Sequence, residues 1–391
     1  MLSPCLVPVL SFALLVAWGS LYYAFGVLGH AMQQDLHCSA GTLTGAFSVA
    51  LLVWGLATYP VGVAMDRLGA RSVMMLGAVL GAVGLMGLSA ASSVGMVYAM
   101  WSLLGLAMAM SLYEAAFALV VQSFASGHRR RIGWLTVVGG LASTVFWPLS
   151  YYLGQRIGWR ATLLLYAALH LLVCVLLLLS QQPSAQPQAA TPDPLHRAAP
   201  PAPVRDAMLG YLSVCFAMCG FITAAMAVQA IPMLESRGFA PATALGLAAC
   251  IGPMQVVSRT ADLVFGHHAS VRRIGMFTLG LMSLSLAALW LAQWLPILSL
   301  LFVVAYGLAL GLLTVVRAAV PLELAGTERY AANSGMLGAP SLLARAAGPV
   351  GAALLAKAPG NPGTVLLVLL LGSLCGMLLF WRAWRFGQEA W

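Results

Sequence analysis

Apolar runs of about 20 residues or more, parted by short turns of glycine, proline and charge, set the pattern of this chain. They cover roughly 8–30, 40–64, 72–92, 95–124, 133–154 and 160–181, then 207–235, 241–265, 274–293, 297–322, 331–356 and 363–384. Runs of this length cross a bilayer as helices, because only a helix satisfies its own backbone in hydrocarbon. The pattern predicts an all-α polytopic membrane protein of twelve transmembrane helices. Six runs precede and six follow one interruption, QPSAQPQAATPDPLHRAAPPAPVRD at 182–206. Pro and Ala dominate it and no apolar period survives, so it reads as a flexible or extended linker. The expected organisation is a six-helix bundle over 1–181, a cytoplasmic linker over 182–206 and a second six-helix bundle over 207–391. Two pseudo-symmetric halves follow from the duplicated hydropathy. A short local echo agrees, since an offset of 203 residues brings Glu114-Ala-Ala onto Arg317-Ala-Ala.

Composition supports this reading. Hydrophobic residues make up 61% of the chain and charged residues 7%, with a mean hydropathy of +0.93. The formal charge of +9 does not read as nucleic-acid binding, because the basic residues sit in short loops between apolar runs. With the N-terminus inside, the inner loops and tail hold Arg67, Arg71, Arg129, Arg130, Arg131, Arg197, Arg205, Arg272, Arg273, Arg329, Arg382 and Arg385. The outer loops hold Arg156, Arg160, Arg237 and Lys357. That bias expects both termini in the cytoplasm of a plasma (inner) membrane. The first run is long enough to span and lacks a convincing cleavage site, so it is expected to stay. Of seven cysteines, all but Cys5 and Cys38 lie in apolar runs, which argues against a disulfide framework. Cys215 and Cys219 share a helix face but read as small packing residues, and no histidine has ligand spacing, so neither a metal nor a cofactor is expected.

The chemistry sits in the few ionisable residues inside the runs. A charge at the bilayer centre costs about 2.5–3.5 kcal/mol on insertion scales, so Arg259, Arg317, Arg345 and Glu114 each need a partner or a wet cavity. Gln255, Arg259 and Asp262 fall at i, i+4 and i+7, a polar stripe along helix eight. Asn333, Ser341 and Arg345 give helix eleven a polar aspect; Tyr306, Thr314 and Arg317 do so for helix ten, and Thr223 and Gln229 for helix seven. Convergence of these faces would make a cationic cavity suited to an anion, since guanidinium grips carboxylate with two parallel hydrogen bonds. The alternative is a set of static ion pairs, Arg259 with Asp262 and Arg317 with Glu114. Glu114 and Asp262 are candidate proton carriers, because burial disfavours a charged carboxylate. Tyr22 and Tyr23 in helix one and Trp147 in helix five either line a substrate path or pack the core. The motifs of metalloproteases, serine hydrolases and phosphate-binding loops are absent, so an enzyme is not expected.

One charged turn is the most specific motif: Gly62-Val-Ala-Met-Asp66-Arg67-Leu-Gly69-Ala-Arg71. It resembles the signature loop between helices two and three of the major facilitator superfamily, with Ala70 where a basic residue is usual. Tyr23-Ala-Phe-Gly26, Leu112-Tyr-Glu-Ala-Ala-Phe117 and Gly158-Trp-Arg160 are similar to bacterial members near the monocarboxylate and oxalate/formate porters. The resemblance implies a permease that moves a small organic anion by alternating access, coupled to H+, acting as a monomer in membrane lipid. It puts the substrate arginine at Arg259, while Gln255 stands where monocarboxylate porters carry a coupling aspartate. It makes Gly62, Asp66, Arg67, Gly69 and Arg71 a conformational gate, with Asp66 near the backbone N–H groups around Ala331 to Ser334. A drug or metabolite exporter is the rival, disfavoured because Gly139-Gly140-Leu-Ala-Ser-Thr-Val-Phe-Trp-Pro148 lacks the antiporter motif of helix five.

Overall fold

A computed structural model of the chain describes residues 5–180, 202–266, 269–327, 329–357 and 363–389. It is all-helical among them. Helices α1 to α4 cover Leu6–Asp35, Gly41–Leu68, Ala70–Ser89 and Val94–Ser123. The run His128–Leu179 holds two helices, α5 over 128–157 and α6 over 159–179, because Gly158 departs from helical geometry at φ 79°, ψ 163°. Helices α7 to α12 cover Ala202–Glu235, Pro241–Phe265, Val271–Leu291, Leu298–Ala325, Tyr330–Lys357 and Gly363–Glu389. The membrane-protein reading and its helix order stand. Most of the expected linker lies outside the described residues, but its end is helical, because α7 begins at Ala202. A proline in the first turn of a helix gives up no intrahelical bond, so Pro203 does not interrupt it.

The ends of these helices follow local chemistry. Ser39, Ser93 and Ser270 precede α2, α4 and α9 in extended conformation, and their hydroxyls accept hydrogen bonds from the N–H groups of Thr42, Met96 and Arg273. Such N-caps satisfy donors that the helix itself leaves over. Between α2 and α3 a single residue turns the chain, Gly69 at φ 85°. That is a conformation side chains resist, and it accounts for the glycine in the charged turn.

The chain forms two compact units, Met1–Ala198 with Thr327–Gly335, and Ala199–Gly326 with Met336–Trp391. The internal packing of the two is alike. In the first, α3 packs on α4 and on the α5–α6 run, and α2 packs on α4. In the second, α9 packs on α10 and α12, α8 packs on α10, and α7 packs on α12. Each unit therefore builds its core from the same set of helix pairs, six positions apart in order.

Several spans are not straight: α5 is interrupted at Leu141 and α8 at Cys250, and α1 and α4 depart further. Within α1, residues Trp18–Tyr23 form a π-helical turn. Within α4, Leu112 is extended at φ −85°, ψ −161°, so the helix stops at Ser111 and restarts at Tyr113. Both runs stay apolar on average despite Ser20, Ser111 and Glu114, so hydropathy alone does not register either break.

Candidate functional site: a buried arginine, an aromatic wall and a charged turn

In the second unit, α8 and α10 approach closely because Gly311 offers no side chain. A Cβ there would overlap the Ser258 hydroxyl and the Gln255 carbonyl. Small residues at the contact are how helices associate in lipid, where apolar transfer supplies no drive. The approach places the Arg259 guanidinium against α10, with Nη2 donating to Thr314 Oγ1 at 3.3 Å. Arg259 and Asp262 are 7% and 8% exposed, one turn apart on the same face of α8. Arg317 is half-buried one turn beyond Thr314, and Gln255 is half-buried one turn before Arg259. Gln255, Arg259 and Asp262 thus line one face of α8 over about 10 Å.

Arg345 is on α11. It lies near enough to the Tyr306 hydroxyl for its charge to act there. That hydroxyl is buried and finds no hydrogen-bond partner among the described residues. Tyr306 precedes Thr314 by eight residues on α10, about 12 Å at 1.5 Å per residue. Gln229 is half-buried in the last third of α7. Asn333 is in the first turn of α11 and clusters with the first unit. Twelve residues along one helix, about 18 Å, separate it from Arg345. The structure does not bring Asn333 to the arginine level.

The first unit presents rings where the second presents arginine. Trp18 touches Tyr22 at 5.4 Å, Tyr23 at 6.0 Å, Trp54 at 5.8 Å and Tyr113 at 5.2 Å between centroids. Trp147 stands edge-on to Tyr23 at 6.0 Å and is 53% exposed. Tyr22, Tyr23 and Trp147 thus form one continuous aromatic wall, with both tyrosines half-buried. Glu114 is half-buried in the first turn of the restarted half of α4. A helix N-terminus is a place where negative charge is favoured.

The charged turn is pinned on three sides within the first unit. Asp66 accepts hydrogen bonds from the N–H groups of Ala331 (3.2 Å, Oδ1) and Ala332 (2.8 Å, Oδ2), capping the start of α11. Gly62 permits this, since a Cβ there would collide with the Ala331 carbonyl. Arg71 donates from Nε to the Leu177 carbonyl at 2.8 Å and from Nη2 to that of Leu178, closing the end of α6. Gln122 near the end of α4 bridges the turn: its Nε2 donates to the Met65 carbonyl at 3.0 Å and its Oε1 accepts from the Ala70 N–H at 2.7 Å. Arg67 is exposed. Sequence reasoning missed Gln122; its one signal was an uncharged polar residue closing an otherwise apolar run.

Among the described residues, ten helical runs are long and apolar enough to cross a membrane, which defines a multi-pass membrane protein. The chain belongs to the Major Facilitator Superfamily, whose family model matches residues 10–268. Human monocarboxylate transporter 6 is 26% identical over 195 residues, which cover 49% of this chain and 37% of that protein. The matched stretch thus spans little more than a third of that relative. Among solved structures, the human organic anion transporter MFSD10 superposes with a TM-score of 0.71 at 19% identity, covering 96% of this chain and 98% of that one. The E. coli fucose:proton symporter FucP gives 0.69 at 14% identity, with the same coverage. The proton:xylose symporter XylE gives 0.72 at 12%, covering 96% and 94%. At these identities the superpositions speak for the fold.

Proposed function

We propose that this protein is a secondary active transporter of a small organic anion of the monocarboxylate kind, working by alternating access. One observation carries the reading: Arg259 is buried within an apolar span, at 7% exposure, beside a hydroxyl on the neighbouring helix. A cation held at that cost in a membrane helix is spent on function more readily than on packing. Guanidinium suits a carboxylate, which accepts both N–H bonds of the fork. The match to a monocarboxylate transporter supports the same substrate class.

In this reading Arg317 and Gln255 complete the anion end, and Tyr22, Tyr23 and Trp147 meet the organic part of the substrate. Arg345, Gln229 and Asn333 act away from the carboxylate. Glu114 and Asp262 are the proposed proton carriers, and the turn of Gly62, Asp66, Arg67, Gly69 and Arg71 sets the conformational balance. The loop arginines support an inner-membrane orientation with both termini cytoplasmic, and the six-plus-six run supports bundles over 1–181 and 207–391 acting as one monomer. Flux into proteoliposomes tests the proposal, with pyruvate, succinate and tetraphenylphosphonium compared with and without an inward proton gradient. Pyruvate entry accelerated by the gradient is the expected result. Transport of the lipophilic cation alone would replace this reading with that of an exporter.

A further inference from the structure

The π-helical turn in α1 carries one member of a buried polar pair that joins it to α6. Ser20, inside the turn, is 2% exposed, and His170 on α6 is 1% exposed. The Ser20 hydroxyl donates to the Val16 carbonyl at 2.7 Å. Its Oγ lies 2.8 Å from His170 Nε2. A hydroxyl has one proton, so with that proton on Val16 the ring nitrogen is the donor and Ser20 the acceptor. The other face of the ring looks onto α3, where a Cβ on Gly81 would stand 3.0 Å from Nδ1. The imidazole is thus fitted between three helices, and Gly81 makes the room for it.

The geometry of the turn matters for what it displays. In an ordinary α-helix residue i+4 stands over residue i, and residue i+5 has rotated away by about 100°. A π-turn closes its backbone bonds at i+5, as the Ala24 N–H does on the Gly19 carbonyl. It therefore brings both Tyr22 and Tyr23 round to Trp18, at the 5.4 and 6.0 Å observed. The same shift of backbone register strains the bonding of the turn before it, and there Ser20 supplies the Val16 carbonyl with a side-chain donor.

We propose that the Ser20–His170 pair holds α1 in this wide turn, and that His170 is thereby the positioning residue for the aromatic wall of Trp18, Tyr22 and Tyr23. That the wall meets substrate rests on the function proposed above; the hold on the turn does not. The test uses the full-length protein in nanodiscs, as wild type, Ser20→Ala, His170→Leu and His170→Gln. Hydrogen exchange of the α1 peptide over residues 14–25 reads the turn. Ser20→Ala and His170→Leu are expected to exchange about fivefold faster or more, the scale of one net hydrogen bond. His170→Gln keeps an N–H donor at the same reach and is expected to stay near wild type. Pyruvate uptake then reads the wall: KM rises in Ser20→Ala and His170→Leu with little change in maximal rate, and His170→Gln restores it. Should His170→Leu fail to accumulate, Ser20→Ala carries the same test, since it removes only one oxygen. Unchanged exchange in Ser20→Ala overturns the hold on the turn. Faster exchange with an unchanged KM overturns the role of His170 toward substrate. A wild type that does not move pyruvate defeats the function proposed above, while the exchange result still decides whether the pair holds α1.

Discussion

Arg259, Asp262 and Thr314 form a small polar group that the bilayer penalises wherever it is left incomplete. Removing the Thr314 hydroxyl takes away one acceptor of the guanidinium, and a lost charge-assisted bond is worth about 1.5–3 kcal/mol. Thr314→Val is therefore expected to lower anion affinity by about tenfold or more, read as the KM of pyruvate uptake. Tyr306, on which the Arg345 charge acts, stands about 12 Å along α10 from Thr314. Arg345→Gln should thus leave the KM within about threefold while lowering protein yield or thermal stability, measured by melting in detergent. The hydropathy of the chain made these arginines legible one by one, because each is a charge in an apolar run. It could not sort them by depth, since depth depends on how α8, α10 and α11 are staggered. Asn333 was grouped with Arg345 for that reason, and its position in the first turn of α11 separates the two.

Elements break where a hydropathy profile is smooth. The π-turn in α1, which holds Gly19 and Ser20, and the extended Leu112 in α4, which has no Gly or Pro beside it, interrupt segments that stay apolar on average. Gly158 is the opposite case: its φ of 79° and ψ of 163° belong to a region open in practice to glycine alone. It ends α5 and delivers Trp159 and Arg160 to Asp35. Arg160 pairs with Asp35 Oδ2 at 2.9 Å, and the Trp159 indole N–H donates to the same oxygen at 3.2 Å. Gly158→Ala should cost about 1–3 kcal/mol of strain, visible as a lower melting temperature in detergent. The Gly-Trp-Arg string was legible as a motif, but its partner Asp35 was not, because 124 residues part Asp35 from Trp159.

At the scale of the molecule, each unit repeats the same helix pairings, and the charged turn belongs to the first of them. The turn bonds to backbone N–H groups of Ala331 and Ala332, where a carboxylate at a helix start is favoured by about 0.3–1 kcal/mol. Asp66→Ala is expected to shift the conformational balance about two- to fivefold with an unchanged intrinsic affinity. Alkylation of cysteines introduced on either side of the membrane would report that shift. The turn, the helix count and the duplication were legible because membrane folding ties them to hydropathy and loop charge. Gln122, which clamps the same turn through Met65 and Ala70, was not, because an amide has no pattern until its partners are in place.

Arg259 offers the most direct measurement. Wild type, Arg259→Ala and Arg259→Lys, reconstituted at equal density, would be compared for exchange of labelled pyruvate with no ion gradient, which needs the substrate site and not the proton step. Exchange in the wild type, its loss in Arg259→Ala and partial recovery in Arg259→Lys, which keeps the charge without the fork, is the predicted outcome. Equal exchange in wild type and Arg259→Ala would contradict the assignment of the anion site to Arg259.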